Sequence, residues 1–562
     1  MNNQPWLNNY PQGVPKSINA DRYKTLPALF DEAKEKFSDR PAYENMGKVL
    51  TFGELDTLST NFASFLQNDL ELKKGDSIAI QMPNILQGPI AIHGALKAGL
   101  TVVNTNPLYT PSEMLHQFRD SEAKAVVILA NFASNLEEII SQTSIEHVIV
   151  TQLGDLLGGF KGALVNFVVK KVKKMVPSYS LKGAYSYKEA LTRGSKGTLN
   201  RPELDTNDLA FLQYTGGTTG VSKGAMLSHR NLIANLQQIE AWLAPSNVEE
   251  GKEVFIAALP LYHIFALNAH AMLPMKIGAK NVLVTNPRDM KGFVKELGKH
   301  KFSFITGVNT LFNGLLNTPG FSDLDFSTLK VALAGGMALQ RAVFDKWEKV
   351  TGNRIAEAYG LTETSPGLCI NPLVGENRVG TIGMPLPDSD IALLDDDGNP
   401  VGEGEKGELC SKGPQVFSGY WKKDEETKNC FINGYFRTGD IATMDPDGYF
   451  RIVDRKKEMI LVSGFNVYPN EIEDCIAMID SVLEVGAIGV PDPKSTEAIK
   501  VYIVKSDDSL TEDDVRKHCE EKLTGYKKPK YIEFTDELPK SNVGKILRRI
   551  IKENDLKKNT YN

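Results

Sequence analysis

The sequence predicts an α/β protein with parallel sheets covered by helices, followed by a smaller β-rich unit and a small α+β unit. Three observations support this. Short apolar runs alternate with longer amphipathic segments up to about residue 380. Turn-forming residues then become frequent, and the last hundred residues combine short predicted strands with a predicted helix. Such alternation is typical of parallel sheets, because parallel strands need long crossover connections.

The predicted strands of the first region are apolar along their whole length, as expected for strands buried on both faces. They are SIAIQMP (77–83), AVVILA (125–130), HVIVT (147–151), EVFIAALP (253–260), NVLVT (281–285), FSFITG (302–307) and KVALAGG (330–336). Longer stretches such as ILQGPIAIHGALKAG (85–99) lie between them and predict the covering helices.

The turns after residue 380 are DDDGN (395–399), GEGEKGE (402–408) and DPDGY (445–449). Turns at this spacing predict a small antiparallel, β-barrel-like subdomain over about 380–453. The charged run DRKKE (454–458) then marks a boundary. We therefore expect an N-terminal domain over 1–453 and a small, mobile α+β C-terminal domain over 454–562, with a helix from about Thr511.

Length and composition restrict the class of protein. A chain of 562 residues is too long to fold around one ordinary hydrophobic core. Its composition, with 41% hydrophobic and 24% charged residues, is typical of folded proteins. The net charge of -6 gives no general attraction for nucleic acid, so we expect no nucleic-acid partner. No apolar run approaches the length of a membrane span, and the N-terminus lacks a signal-peptide pattern.

The cysteines are scattered and odd in number, at positions 369, 410, 430, 475 and 519. They form neither a disulfide framework nor a CxxC zinc pattern, which suits a reducing compartment. A cytoplasmic location is therefore predicted.

The segment YTGGTTGVSKG combines glycines, threonines and a lysine. Glycine lets the backbone expose its amides to an anion, while the hydroxyls and the ammonium add donors. The predicted ligand is a phosphate chain; the alternative is a plain surface turn. Lys223 stands between Ser222 and Gly224, so the segment is not a Walker A loop, which ends in Gly-Lys-Ser/Thr. Its candidate binding residues are Tyr214, Thr215, Gly216, Gly217, Thr218, Thr219, Gly220, Val221, Ser222, Lys223 and Gly224.

Further segments occur in a recognisable order across both predicted domains. They are PLYHIFA (260–266), YGLTET (359–364), NGYFRTGDIATMDPDGYFRIVDRKKEM (433–459), VSGFNVYPNEIED (462–474) and LPKSNVGKILRR (538–549). Together with the glycine loop they resemble the adenylate-forming superfamily of acyl-CoA synthetases. Within it, VSGFNVYPNEIED and PKSNVGKILRR are similar to the bacterial long-chain fatty acid branch. The sequence departs from that branch at Tyr435, where tryptophan is common.

The resemblance implies a ligase that forms a carbon–sulfur bond in two steps. A fatty carboxylate attacks the α-phosphate of ATP to give acyl-AMP and pyrophosphate, and the CoA thiol then takes the acyl group. Because an anion must approach a polyanion, the main task is positioning and neutralisation of charge. ATP, Mg²⁺ and CoA are the implied cofactors, a fatty acid is the implied substrate, and a homodimer is the implied assembly.

The resemblance also assigns roles to single residues. Glu363 is the candidate Mg²⁺ ligand and Thr362 a donor to the α-phosphate; residues 362–364 taken alone would instead predict a helix cap, and the glycine loop upstream favours the ligand role. Lys545 is implied to reach the α-phosphate during adenylation, and His263 to flank the acyl group. The remaining candidates are Tyr359 and Gly336 beside adenine, Asp440 at the ribose hydroxyls, Arg455 near the phosphates, Asp454 as the hinge and Gly464 at the pantetheine tunnel.

Three alternative functions stay open at this level. The acyl adenylate could pass to another acceptor, the ligase could prefer short or medium chains, or the protein could bind nucleotide without turnover. Lys545, Glu363, Asp440 and Arg455 occur together, which argues against the last of these.

The segment ALVNFVVKKVKKMV (163–176) is amphipathic. On a helical wheel Leu164, Val165, Val168, Val169, Val172, Met175 and Val176 share one arc, while Lys170, Lys173 and Lys174 lie on the other side. This pattern predicts either an ordinary surface helix or weak peripheral contact with the inner face of the cell membrane.

Overall fold

The structure, a computed structural model, describes residues 4–215, 222–541, 544–559 and 561. Up to residue 385 the strands, in chain order, are β1 Pro41–Asn45, β2 Lys48–Thr51, β3 Ser77–Gln81, β4 Thr101–Asn104, β5 Ala125–Leu129, β6 His147–Thr151, β7 Tyr185–Ser186, β8 Leu209–Thr215, β9 Lys223–Ser228, β10 Val254–Ala257, β11 Lys280–Leu283, β12 Phe304–Gly307, β13 Val331–Gly335, β14 Ile355–Gly360, β15 Gly367–Ile370 and β16 Met384–Pro385.

These strands form two sheets, with the orders β7-β6-β5-β3-β4-β8-β9 and β16-β15-β14-β13-β12-β10-β11-β1-β2. The central pairings are parallel, for example β3 with β4 and β12 with β13. Antiparallel pairs occur only toward the edges, where β9, β15, β16 and β2 lie among the described residues. The predicted parallel α/β architecture is confirmed.

Helices cover both sheets. In chain order they are α1 Trp6–Asn9, α2 Leu26–Phe37, α3 Phe52–Asn68, α4 Gln87–Lys97, α5 Pro111–Asp120, α6 Ala133–Ile139, α7 Gly159–Phe167, α8 Tyr187–Gly194, α9 His229–Leu243, α10 Ile264–Ala266, α11 Leu273–Ile277, α12 Met290–Leu297, α13 Asn309–Leu316 and α14 Arg341–Thr351. One apolar core, which includes Phe62, Phe211 and Trp347, continues between the sheets and these helices.

Many helices begin at a hydroxyl side chain that accepts a hydrogen bond from a backbone amide of the first turn. Thr51, Thr110, Ser228 and Thr511 each do so, and each takes part in a reciprocal capping box. Such caps satisfy amide groups that the helix itself leaves unpaired. The sequence therefore determines these helix starts locally.

The predicted β-rich subdomain is an antiparallel sheet with an associated helix. Its elements are β17 Asp390–Leu394, β18 Gly407–Lys412, α15 Asp424–Asn429, β19 Phe431–Ile432, β20 Tyr435–Met444 and β21 Phe450–Arg455. The order is β17-β18-β20-β19, and β21 also pairs with β20. Within the described residues β17 remains an edge, so the barrel-like expectation is corrected to an open sheet. Closure would require β17 to pair with β19 or β21 at the far edge, and no such pairing occurs among the described strands.

The remaining elements are β22 Ile460–Val462, β23 Phe465–Val467, α16 Pro469–Ile476, β24 Val482–Asp492, β25 Thr496–Lys505, α17 Glu512–Lys522, β26 Tyr531–Phe534 and α18 Arg548–Lys558. They form an α+β unit with its own apolar cluster, which includes Val467, Ile472, Val501 and Val515. The boundary at residue 454 stays a prediction. Strand β21 continues to Arg455, which pairs with Asp440 of strand β20 in the same antiparallel sheet.

The amphipathic segment begins earlier than its sequence pattern suggested. Helix α7 starts at Gly159 and continues through a wider turn over residues 168–172. Val169 is buried, whereas Leu164 and Val172 are exposed together with Phe160 and Phe167. The arc drawn on the helical wheel is thus divided between a protein-facing and a solvent-facing side. No helix within the described part of the chain is both long and apolar enough to span a membrane.

Candidate active site

Several of the described candidate residues lie together at the carboxyl ends of β13 and β14, near the hairpin β8–β9; they are Gly336, Tyr359, Glu363, Asp440, Arg455 and Lys545. Open α/β sheets bind ligands at this edge, because loops leaving parallel strands open a crevice there. The antiparallel sheet β17–β21 closes one side of the crevice, and the loop that precedes α18 lies against it. Residues more than 300 positions apart in the chain therefore meet, as the hydrogen bond between Trp421 and Asp120 illustrates.

The glycine loop joins β8 to β9. In this hairpin Thr215 pairs with Lys223 and Tyr214 with Gly224, so both ends of the loop are held in register. The Tyr214 hydroxyl donates a 2.7 Å hydrogen bond to Oδ2 of Asp120. The predicted phosphate ligands Gly216, Gly217, Thr218, Thr219, Gly220 and Val221 lie outside the described residues.

The end of the hairpin is anchored from outside by two contacts. His116 Nε2 lies 2.8 Å from the carbonyl oxygen of Ser222, and the Trp421 amide donates a 2.8 Å bond to the carbonyl of Gly224. A Cβ at Gly224 would lie 3.1 Å from the Tyr214 ring, so glycine permits close packing there.

Lys223 points toward the antiparallel sheet. Its Nζ lies 2.9 Å from Oε2 of Glu426 and 4.5 Å from the centre of the Tyr420 ring. About a third of the lysine side chain stays exposed (31%). The ion pair is thus open to solvent, and a stronger anion can compete for the ammonium.

Glu363 is a buried carboxylate in the short turn Thr362–Thr364 that follows β14. Its Oε1 accepts a 2.6 Å hydrogen bond from the Tyr420 hydroxyl. Burial raises the pKa of Glu363, while Tyr420, Arg455 and Lys223 act in the opposite direction. Thr362 is half-buried in the same turn.

Tyr359, Asp440 and Arg455 form one polar chain. The Tyr359 hydroxyl donates a 2.6 Å bond to Oδ2 of Asp440, whose Oδ1 lies 3.2 Å from Nε of Arg455. Asp440 is almost fully buried, and burial with the Asp440 charge raises the pKa of the Tyr359 hydroxyl. The two strands β14 and β20 are therefore joined through this carboxylate.

Glycines at the end of β13 allow close approach. A Cβ at Gly335 would lie 3.0 Å from the Phe265 ring and 3.2 Å from the carbonyl oxygen of Ala358. Gly336 has a φ of +80°, a conformation that side chains rarely adopt. Gly336 leaves exposed backbone near Tyr359, where a flat ring could stack.

Lys545 lies at this site, although the chain separates it from Asp440 by more than a hundred residues. Burial and the Arg455 charge lower the pKa of its ammonium to about 8, while Glu458 and Asp440 partly offset them. The Lys545 amide and carbonyl are both bonded to Ser541, which closes the loop into a tight turn. A half-buried cation beside phosphate-binding candidates can stabilise developing negative charge.

His263 caps the helix that begins at Ile264. Its Nδ1 accepts a 3.3 Å hydrogen bond from the Phe265 amide, so the ring has a structural role. Burial and the nearby Lys545 charge lower the pKa of His263 to about 4, which keeps the ring neutral near pH 7. The Lys545 charge acts on the ring, so the two side chains lie close enough to interact electrostatically.

Gly464 is not brought to this cluster. It lies in the exposed hairpin between β22 and β23 with a φ of +85°, and a Cβ there would meet nothing within 4 Å. The neighbouring Phe465 is 55% exposed and stacks on Tyr526. The structure therefore holds the Lys545 loop, and not the Gly464 hairpin, at the crevice.

Sequence reasoning missed several residues of the site. Tyr420 bonds Glu363, Glu426 pairs with Lys223, and Asp120 anchors Tyr214. Asp120 and Glu426 lie in short helices without any motif, so local spacing contains no signal for them. Tyr420 falls in a short stretch, SGYW, between the recognised segments.

The donor set around Glu363 fits a magnesium ion better than a transition metal. Among the described residues, the cluster of metal-capable His, Cys, Asp and Glu side chains is Glu44, Glu296 and His300, and Glu363 is not part of it. Magnesium commonly takes one or two protein carboxylates and completes its coordination with phosphates and water. A single buried glutamate beside a phosphate loop meets that requirement.

Two family models match the chain. The model described as "AMP-binding enzyme" matches residues 30–421, and the model described as "AMP-binding enzyme C-terminal domain" matches residues 471–545. The two matches cover most of the chain and lie on either side of strand β21.

Individual proteins are also similar to this chain. A long-chain-fatty-acid–CoA ligase of Escherichia coli O157:H7 is 53% identical over 98% of both chains. The crystal structure of ATP-bound MatB from Rhodopseudomonas palustris shares 26% identity over 94% of this chain and 99% of MatB, with a TM-score of 0.78. An anthranilate CoA ligase, AuaEII, in complex with anthranoyl-AMP has the same fold, with a TM-score of 0.84 at 23% identity over 96% of this chain and 99% of AuaEII.

Proposed function

This chain belongs to the AMP-binding enzyme family, and from that premise we propose that it is an AMP-forming long-chain fatty acid–CoA ligase. The observation that carries the proposal is the convergence of Lys545 with Asp440, Arg455 and Glu363 at one crevice. The 53% identity to a long-chain ligase over nearly the whole chain supports the choice of acyl substrate.

In the first step one oxygen of the fatty carboxylate attacks the α-phosphorus of ATP. The bond from that phosphorus to the bridging oxygen of pyrophosphate breaks, and acyl-AMP remains. The Lys545 ammonium would neutralise charge on the α-phosphate and the incoming carboxylate. Lys223 and the amides of the glycine loop would hold the leaving pyrophosphate.

The nucleoside has its own set of residues. Asp440 would accept hydrogen bonds from the ribose hydroxyls, and Tyr359 with Gly336 would bind adenine. Arg455 lies 3.2 Å from Asp440 and would extend this contact toward the phosphates. Glu363 would hold Mg²⁺, which when bound offsets phosphate charge, and Thr362 would donate to an α-phosphate oxygen.

The second step would require another arrangement, because the thiol of CoA must approach an acyl carbonyl that Lys545 would cover. The thiol sulfur bonds to that carbon, the bond to AMP breaks, and the thiol proton leaves to solvent. We propose that residues 454–562 rotate about Asp454 as a mobile domain and bring Gly464 to the pantetheine. The Asp454 carboxylate accepts hydrogen bonds from the amides of Arg455 and Asn470, both in the C-terminal unit. The Asn470 side-chain amide lies 3.5 Å from the carbonyl oxygen of Val453, on the other side of the predicted boundary.

The test separates the two steps. Fatty acid-dependent exchange between pyrophosphate and ATP reports acyl-AMP formation, and a CoA-dependent assay reports the thioester. Exchange without thioester would favour transfer to another acceptor, and the absence of both would favour a non-catalytic nucleotide-binding protein. Comparing kcat/KM from butyrate to stearate decides between short, medium and long chains.

We also propose peripheral membrane contact through the surface around α7. Phe160 (85% exposed), Phe167 and Val172 form an apolar surface next to the exposed lysines 170, 171, 173 and 174. Exposed aromatic side chains beside lysines are typical of helices that lie in an anionic membrane interface. Because the proposed substrate partitions into lipid, such contact would place the crevice near its supply.

Sedimentation with anionic vesicles tests the membrane contact. Phe160→Glu and Phe167→Glu should each reduce the bound fraction, while Val374→Glu, which charges a single exposed valine elsewhere, should leave it unchanged. Equal binding of all three variants would overturn the proposal. The expected homodimer and the cytoplasmic location stay predictions, and light scattering coupled to size exclusion measures the first.

A further inference from the structure

The loop that carries Lys545 makes a close contact with helix α13. The Thr310 hydroxyl donates a 3.1 Å hydrogen bond to the carbonyl oxygen of Gly544, the residue directly before Lys545. Gly544 has a φ of +84°, and a Cβ there would lie 2.7 Å from Oγ1 of Thr310. The contact therefore needs glycine on one side and fits a small hydroxyl residue on the other.

Thr310 lies on a segment that is hydrogen-bonded to the residue preceding α14. It belongs to the first turn of α13, where the Asn309 side chain accepts a 3.0 Å bond from the Gln340 amide. Val308, which precedes this helix, would lie 3.9 Å from a Cβ at Gly336 and 3.3 Å from a Cβ at Gly544. The segment 308–310 therefore lies close to both Gly336, at the end of β13, and Gly544, in the loop that carries Lys545.

A second contact to the C-terminal unit lies one turn further along the helix. The Asn313 side-chain amide is 3.5 Å from the carbonyl oxygen of Leu483, near the start of β24. This distance is at the limit of a hydrogen bond, and the group is half-exposed. The shorter Thr310 contact, adjacent to the catalytic candidate, is the one expected to determine where the ammonium lies.

We propose that Thr310 is a positioning residue that docks the Lys545 loop for acyl-AMP formation. It acts through Lys545, and the inference rests on the proposed function. The flexible stem of a lysine reaches its target only if the backbone at its base is held in place, because misplacement of a charged group by about 1 Å can cost a factor of about 10² in rate. In the second step the loop leaves α13, so Thr310 then has no part.

The experiment compares Thr310→Val with Thr310→Ser in the full-length protein. Valine keeps the shape of threonine but removes the donor and leaves the Gly544 carbonyl unpaired, so acyl-AMP formation should slow about tenfold. Serine keeps the hydroxyl and should restore most of the rate. Thioester formation from added acyl-AMP and CoA should be unchanged in both variants.

Gly544→Ala tests the same contact from the other side. Its methyl group would collide with Thr310, so acyl-AMP formation should fall by more than in Thr310→Val, again with a normal second step. A normal rate of thioester formation shows that the variant is folded and active. The comparison of acyl-AMP formation therefore remains informative even if the melting temperature changes.

The inference is overturned if Thr310→Val forms acyl-AMP at the wild-type rate, if serine is as slow as valine, or if both steps slow equally. A wild-type protein that forms no acyl-AMP would instead overturn the proposed function and this inference with it. Lys545→Ala, assayed in parallel, shows the rate without the ammonium.

Discussion

The Tyr420 hydroxyl and the Glu363 carboxylate are joined by a 2.6 Å hydrogen bond, although the two residues are 57 positions apart. The bond crosses from the turn after β14 to the loop that follows β18. It orients the carboxylate proposed to hold Mg²⁺ and opposes the rise in its pKa caused by burial. The antiparallel sheet is therefore part of the proposed metal site as well as a wall of the crevice.

Tyr420→Phe should weaken Mg²⁺ binding and slow acyl-AMP formation by about one order of magnitude, since a hydrogen bond to a charged group contributes about 1.5–3 kcal/mol. The measurement is the Mg²⁺ dependence of pyrophosphate exchange. Tyr435→Phe is a matched control, because Tyr435 donates a bond of the same length to Asp390 away from the crevice. An unchanged Mg²⁺ dependence in Tyr420→Phe would refute this role.

Glu426→Gln should lower the KM for ATP. The substitution releases Lys223 from an ion pair that competes with phosphate, and exposed pairs are worth up to about 1 kcal/mol, so a change of about two- to fivefold is expected. Glu122→Gln removes a comparably exposed pair with Lys422 and should leave the KM unchanged. A higher KM in Glu426→Gln would show that the glutamate assists ATP binding instead.

The pH dependence of adenylation should show the depressed pKa of Lys545. In the free enzyme the ammonium loses its proton near pH 8, so kcat/KM for ATP should fall as the pH rises through that value. The decrease in kcat should lie at higher pH, because bound phosphates stabilise the charged form. Lys545→Arg should remove the limb, since arginine keeps its charge to above about pH 12.

A loss of folding stability does not explain a fall of kcat/KM as the pH rises through about 8. Between about pH 8 and the ordinary lysine pKa of 10.5, the unfolded chain binds more protons at Lys545 than the folded protein does. The contribution of this group to the free energy of unfolding therefore rises with pH across that window. A melting temperature that fell in parallel with the rate would contradict the assignment to catalysis.

Comparing His263→Asn with His263→Ala should show whether the ring only caps the helix at Ile264 or also takes part in the reaction. Asparagine can cap the helix at Ile264, whereas alanine should lower the free energy of unfolding by about 1 kcal/mol, measured by urea denaturation. Because the pKa of His263 is about 4, the activity of the wild type should show no histidine limb near 6.5. A limb there that disappears in His263→Asn would assign the ring a proton-transfer role.

Much of the fold and part of the site could be predicted from local sequence. The apolar runs at 77–83, 125–130 and 147–151 form buried parallel strands. A strand buried on both faces is apolar along its whole length, so its composition predicts it. Thr511 begins its helix as expected, because a cap depends on residues three positions apart. The resemblance predicted roles for Lys545, Glu363 and Asp440; the structure brings the three residues to one crevice, and their roles stay predictions.

Tertiary structure decided which partners these residues have. Neither Tyr420 beside Glu363 nor Thr310 beside Gly544 follows from spacing, because each contact joins segments brought together only by the order of strands and the placement of the C-terminal unit. The same holds for α7, where packing buries Val169 and leaves Phe160 exposed. Periodicity defines a helical face, but only the packed neighbours determine whether that face is covered. The sequence by itself thus determined the elements and the candidate chemistry, while contacts between distant segments decided the geometry in which that chemistry would operate.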